Sequence, residues 1–275
     1  MRQTYIYVLV LLSMGFATHR ARAATPETAA ADTSVHLDIG AMHTQYHENL
    51  TPGDDENGPT AGFGVGASAL LPIRPGWNPD LYTALNYDFS AGNIHYGGHY
   101  IESGRPASAT DNAVFNRIEA KIGLGYQIPG NGGELIGFLA GGYQAWNRNI
   151  NQKGVIGTDE FYHSFLLGGG IKLDTPLSPT IVASVSGEML ALLGGGIALD
   201  NFHLNQSFGP SAAQRITFGL DDALSGRLHI VASTFWQHFN YSGSRPRVYD
   251  FYYFIYEPLS TTTQFGGSIG VAYSF

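Results

Sequence analysis

The sequence predicts a single all-β domain, a closed antiparallel up-and-down transmembrane β-barrel of about ten strands. Apolar residues recur with a period of two in about ten segments, the connections between them alternate short and long, and charge is scarce. Only 13% of residues are charged, against 36 Gly, 16 Tyr and 16 Phe, where a soluble domain carries about 25% charged residues. Such a chain cannot readily cover a water-facing exterior, whereas a lipid-facing one needs few charges.

Residues 1–23 read as a signal peptide: Arg2 is the basic start, Ile6 to Phe16 the apolar run, and Ala21-Arg22-Ala23 the cleavage site. The run is about half a membrane-spanning helix, so cleavage after Ala23 is expected rather than anchoring. A short polar leader (24–33) precedes the barrel (34–275).

The first strand, Ser34 to Tyr46, sets Val35, Leu37, Ile39 and Ala41 on one face. Thr60 to Leu71 is the cleanest dyad, with Ala61, Phe63, Val65, Ala67 and Ala69 opposite Gly62, Gly64, Gly66 and Ser68. Leu81 to Gly92 sets Leu81, Leu85, Tyr87 and Phe89 against Asn86, Asp88 and Ser90. Val114 to Ile128 sets Ile118, Ala120, Ile122, Leu124 and Tyr126 against Arg117, Glu119 and Lys121. Glu134 to Asn147 is strand-like with no assignable outer face. Phe161 to Leu173, Ile181 to Leu193, Gln214 to Leu220, Leu228 to Asn240 and Thr261 to Phe275 complete the ten.

The short connections are Pro72 to Asp80, Pro129 to Gly133, Asp174 to Pro179 and Asp222 to Gly226, rich in turn-forming residues. The long ones are His47 to Pro59, Asn93 to Asn112, Arg148 to Glu160, Gly194 to Ser211 and Tyr241 to Leu259. Short inner turns alternating with long outer loops fit an even number of strands with both ends on one side of a membrane.

Without residues 1–23 the chain has 11 basic and 22 acidic residues, a formal charge of −11, which argues against nucleic acid as a partner. With no cysteine, disulfides, thiolate metal sites and a Cys nucleophile are excluded.

The ending Gly-Val-Ala-Tyr-Ser-Phe, with Val271, Tyr273 and Phe275 alternating, resembles the C-terminal assembly signal of bacterial outer-membrane β-barrels. That resemblance implies export to the bacterial outer membrane, recognition by the barrel-insertion machinery, and lipid and lipopolysaccharide as surroundings. It implies no particular activity.

With apolar faces in lipid, the lumen receives Asp38, Asp88, Arg117, Glu119, Lys121, Lys172, Glu188 and Arg215. Four acids and four bases predict one paired, charge-balanced network filling the interior; a charge-selective ion path is the alternative. At the outer end, His43, His47, His95, His99 and His203 are candidate metal ligands, against the plainer reading of unrelated surface histidines. The aromatic stretch Arg245 to Tyr256 is read as strand extension and outer girdle, or else as a binding platform.

Omptin proteases use an acidic pair and an Asp placed two residues before a His; neither Asp200-Asn-Phe-His203 nor Asp54-Asp55 reproduces that. No Gly-x-Ser-x-Gly elbow or His-Glu-x-x-His helix occurs. The expectation is a non-enzymatic barrel without cofactor, displaying five loops for envelope structure, adhesion or binding of an extracellular ligand. A narrow solute channel and a surface protease or lipid-modifying enzyme are the alternatives.

Overall fold

The computed structural model describes residues 26–74, 79–99, 104–130, 132–151, 159–250 and 253–275; the signal segment 1–23 lies outside them. Its strands, in chain order, are β1 (Ser34–Glu48), β2 (Asp55–Pro72), β3 (Asp80–His99), β4 (Pro106–Gln127), β5 (Glu134–Asn151), β6 (Asp159–Pro176), β7 (Ile181–Leu199), β8 (Leu204–Ser207), β9 (Ser211–Ala223), β10 (Leu228–Tyr241), β11 (Arg247–Asp250), β12 (Tyr253–Ile255) and β13 (Ser260–Ser274). Ten of them, β1–β7, β9, β10 and β13, are antiparallel staves in chain order. The sheet closes on itself where β13 pairs with β1 over the whole length of both, from Ser34↔Ser274 to Glu48↔Ser260.

Alternation sends large apolar side chains outward. Ile39, Leu139 and Met189 are 67%, 68% and 69% exposed, and Phe63, Val65, Phe165, Leu167, Ile171, Phe218, Phe265 and Val271 join them in a belt. An apolar exterior around a polar interior is the arrangement of a lipid-embedded barrel. Val271, Tyr273 and Phe275 all lie on this outer face.

The strand that sequence left unassigned, β5, is apolar on both faces. Leu135 and Leu139 face out, while Ile136, Phe138 and Trp146 are buried in the lumen. Three staves away the wall is thin, because β2 turns Gly62, Gly64 and Gly66 inward. In β7 one extra residue opposite His163–Phe165 makes a bulge, with Gly194 at φ 56°.

The staves run 13 to 22 residues, longer than the roughly 9–11 that cross a membrane. Most segments expected to be long loops are therefore strand. Above the belt the outer faces turn polar, with Gln45, His47, Asp55, Asn57, Asn93 and Asn147 exposed. Both faces there stop alternating between apolar and polar, which is why the extension is invisible to a period-two reading. The last loop does not extend a stave: β11 and β12 form a separate two-stranded hairpin, correcting the girdle reading of Arg245 to Tyr256, of which 251–252 lie outside the described residues.

Within the expected leader, Pro26–Asp32 is a helix, α1. It contacts β2 on one wall and β6 and β7 on another, so it lies across the periplasmic mouth, with Thr28 and Asp32 buried.

Candidate functional site

The lumen holds three charged layers rather than one network. At mid-height, Lys121 Nζ contacts Glu188 at 2.7 Å and Glu119 at 3.1 Å. Arg117 pairs with Glu119, reaches Glu188 at 3.8 Å, and donates to Gln237 at 2.9 Å. Arg215 stacks over Phe235, 4.4 Å from the ring centroid, with Asp88 at 3.6 Å. Among the described residues, Asp38 has one charged neighbour, His36 at 3.8 Å. Six of the eight expected charges thus share contacts in this layer. Lys172 does not: it sits at the periplasmic mouth, bound to Asp32 of α1 and, at 2.9 Å, to Asp174.

The third layer was missed from sequence, because its charged residues lay in segments expected to be loops. Arg148 on β5 is buried among the rings of Tyr46, Trp146 and Tyr162, at 4.8, 5.2 and 5.3 Å. Its Nε donates to Glu56 at 2.8 Å, and one terminal nitrogen donates to Glu160 at 2.6 Å and to the Tyr162 hydroxyl at 2.7 Å. From the last loop Glu257 inserts beneath the rim and accepts hydrogen bonds from Tyr46 (3.1 Å) and Tyr162 (2.6 Å). Inward parity along β5, from Ile136 through Gln144 and Trp146 to Arg148, would have placed this guanidinium had the strand been carried past Asn147.

Around it the aromatic rings bridge the lumen. Tyr46 of β1 meets Trp146 of β5 at 5.4 Å, Trp146 meets Tyr162 of β6 at 5.5 Å, and Tyr162 meets Tyr241 of β10 at 5.5 Å. All four are buried. Below this roof lies a chamber of about 300 Å³, lined by Asp38, Asp88, Arg215, Gln237 and Ser268 among others. A second cavity of about 240 Å³ lies between it and α1.

The interior is not charge-balanced. Among the described residues and beyond the expected eight, the buried acids include Asp32, Glu48, Glu56, Asp80, Asp111, Glu134, Asp174 and Glu257, against one further buried Arg or Lys, Arg148. Glu48 and Glu257 lie above the belt, and loss of hydration is the main reason both carboxyls are raised: Glu257 to about 8, with Glu160 adding repulsion, and Glu48 to about 7, with Asp54 doing so.

The candidate metal ligands are not brought together. His43, His47 and His95 are exposed on the outside of the barrel, His99 points outward at the end of β3, and His203 sits beyond a one-turn 3₁₀ helix at φ 49°. His47 Nδ1 pairs with Asp55 at 2.5 Å. Among the described residues no three His, Asp or Glu side chains gather as a metal-binding group would require.

One constellation has the order of a catalytic triad: Asp221 to His229 Nδ1, and His229 Nε2 to Ser274 Oγ at 3.3 Å. His229 and Ser274 are buried. The backbone N–H groups that could form an oxyanion hole are already used, Ser274 on Arg227 O (2.9 Å) and Phe275 on Thr33 O (3.2 Å). The chain of bonds ties β9, β10 and β13 together at the periplasmic rim.

No family model matches the chain, and no curated protein does. Among solved structures it is similar to the outer membrane protease OmpT of Escherichia coli, at 10% identity and TM-score 0.48 over 89% of this chain and 97% of that one. It is also similar to the transport unit of the autotransporter AIDA-I of Escherichia coli, at 11% identity and TM-score 0.47 over 88% and 90%. With Ail of Yersinia pestis it shares 9% identity and a TM-score of 0.33 over 89% and 99%. Such likenesses carry no argument about activity. By its own architecture, apolar outside, polar inside and closed by ten staves, the chain is a small β-barrel of the bacterial outer-membrane type.

Proposed function

We propose that the protein is a non-enzymatic bacterial outer-membrane barrel, exported through a cleaved signal peptide, that is closed at rest and works through its outer surface. The observation that carries this reading is the buried layer of Arg148, Tyr46, Trp146, Tyr162 and Tyr241 across the lumen. With the interior shut, recognition falls to the rim. There the β11–β12 hairpin carries Val248, Phe254 and Tyr256, 65%, 70% and 45% exposed. Exposed aromatics displayed above the barrel suit contact with an extracellular ligand or surface. Outer-membrane lipid and lipopolysaccharide surround the belt, and the barrel-insertion machinery would read Val271, Tyr273 and Phe275.

Purified protein in planar bilayers at pH 6 should give no single-channel steps; stable steps would overturn the closed-barrel reading. The buried Ser274 supports a protein without hydrolase activity. Labelling by a fluorophosphonate that disappears in Ser274→Ala would instead make it an enzyme.

A further inference from the structure

Among the described residues, the outer layer contains more acid than Arg148 can neutralise. Around Arg148 stand Glu48 from β1, Asp54 from the following turn, Glu56 from β2, Asp111 from β4, Glu160 from β6 and Glu257 from the last loop. The other titratable groups facing it are the phenols Tyr46, Tyr96, Tyr162 and Tyr241. Arg148 holds Glu56 and Glu160 directly. Glu257 and Glu48 receive hydroxyl and amide hydrogen bonds but, among the described residues, pair with no Lys or Arg. Buried carboxyls without a cation keep their protons, or else the structure around them gives way.

We propose that this outer cap is a proton-controlled gate, closed while its carboxyls hold protons and opened as they ionise, which admits small cations to the chamber beneath. The moving part is the strap that carries Glu257, the acceptor that holds the Tyr46 and Tyr162 rings of the roof across the lumen and frees them when it leaves. It is not a stave, and among the described residues it is tied to the barrel by a few bonds rather than a ladder: Asn49 N to Leu259 O at 2.7 Å, Gln206 Nε2 to Ile255 O at 2.9 Å, and Glu257 N to Gln206 Oε1 at 3.1 Å, besides the two phenol bonds to Glu257. Below pH 7 a neutral Glu257 accepts from two phenols in a dry site. Its carboxyl is raised to about 8, so mild alkali places a charge there beside Glu160 and Glu48, and repulsion drives the strap outward.

Cations are the selected class because the path is negative once the cap ionises. Among the described residues Asp38 has no Lys or Arg partner in the chamber, and Asp88, though paired with Arg215 at 3.6 Å, is half exposed, so an entering cation meets carboxylate oxygens on the chamber wall. This gate goes beyond the closed-barrel reading, which a barrel shut at every pH would satisfy equally well.

Because the chain has no cysteine, a single Ser90→Cys in the chamber wall reports entry. Its rate with a trimethylammonium methanethiosulfonate and with the sulfonate analogue is compared with Asn57→Cys on the exposed outer face, which cancels the thiol's own ionisation. The cationic reagent should react about tenfold faster at pH 9 than at pH 6, as opening tied to loss of at least one proton implies, and the anionic one should lag. Adding Glu257→Gln, or Glu48→Gln as a second variant, fixes a neutral side chain and should suppress the rise. Rates that do not change with pH, equal rates for the two reagents, or a rise untouched by both Gln variants would each overturn the gate. Steps at pH 6 in the bilayer experiment would instead overturn the closed resting state.

Discussion

Arg148 shows how much one side chain can decide. Replacing it with Gln leaves Glu56 and Glu160 buried without their cation, which typically costs about 3–5 kcal/mol; the check is a lower urea midpoint for the detergent-solubilised barrel. Tyr162→Phe removes the 2.6 Å bond to Glu257 and the bond from Arg148 and should cost about 1 kcal/mol for each bond lost. Glu257 and Glu48 are raised above their ordinary 4.5, so the closed fold binds protons more tightly than the unfolded chain. That contribution is complete below about pH 4.5 and is lost as pH rises through 7 and then 8. The urea midpoint should accordingly fall between pH 5 and pH 9, and Glu257→Gln should flatten the fall. None of the charged residues among these was legible in sequence. A lumen charge is recognisable by its place in an alternating strand, and Arg148 and Glu56 lie where the outer neighbours are polar too, while Glu257 lies in no stave at all. Arg117, Glu119 and Lys121 were legible because Ile118, Ala120 and Ile122 separate them.

At the scale of the strand, period-two patterning placed all ten staves and the four inner turns, but it ended the staves at the edge of the lipid. The rule reports a difference between two faces, and above the belt that difference vanishes. β5 resisted for the opposite reason: Ile136 and Phe138 fill the lumen, onto which β2 turns a glycine-lined wall, so both faces of β5 are apolar. The thinness of that wall is testable. A Cβ on Gly62 would lie 1.7 Å from the carbonyl oxygen of Phe89, whereas one on Gly137 meets nothing within 4 Å. Gly62→Ala should therefore lower the urea midpoint clearly, by the 1–3 kcal/mol typical of overpacking, and Gly137→Ala should leave it almost unchanged. At the periplasmic end, Lys172→Gln removes the cation between Asp32 and Asp174 and should release α1, seen as faster proteolysis before Ser34 while the barrel stays folded.

For the whole molecule, composition led correctly to a barrel with its apolar side outward but gave a misleading picture of the inside. Counting charges only in the alternating segments returned equal numbers of acids and bases. The acids outside those segments, at both mouths, make the lumen strongly acidic, with one cation at each end acting as a stopper. Net charge is a property of the sequence, but where it collects depends on how far the staves continue.

The seam between β1 and β13 has a consequence for how such a molecule can be made. The first stave's only partner on that side is the last segment of the chain, paired from Ser34↔Ser274 to Glu48↔Ser260. Until residue 274 is available there is no closed object, only a curved sheet with two bare edges, each a template for another chain. Loss of β13 therefore cannot yield a nine-stranded barrel of lower stability. It yields a sheet that associates with copies of itself, and the chain must be kept unpaired from its first stave to its last before it can become one molecule.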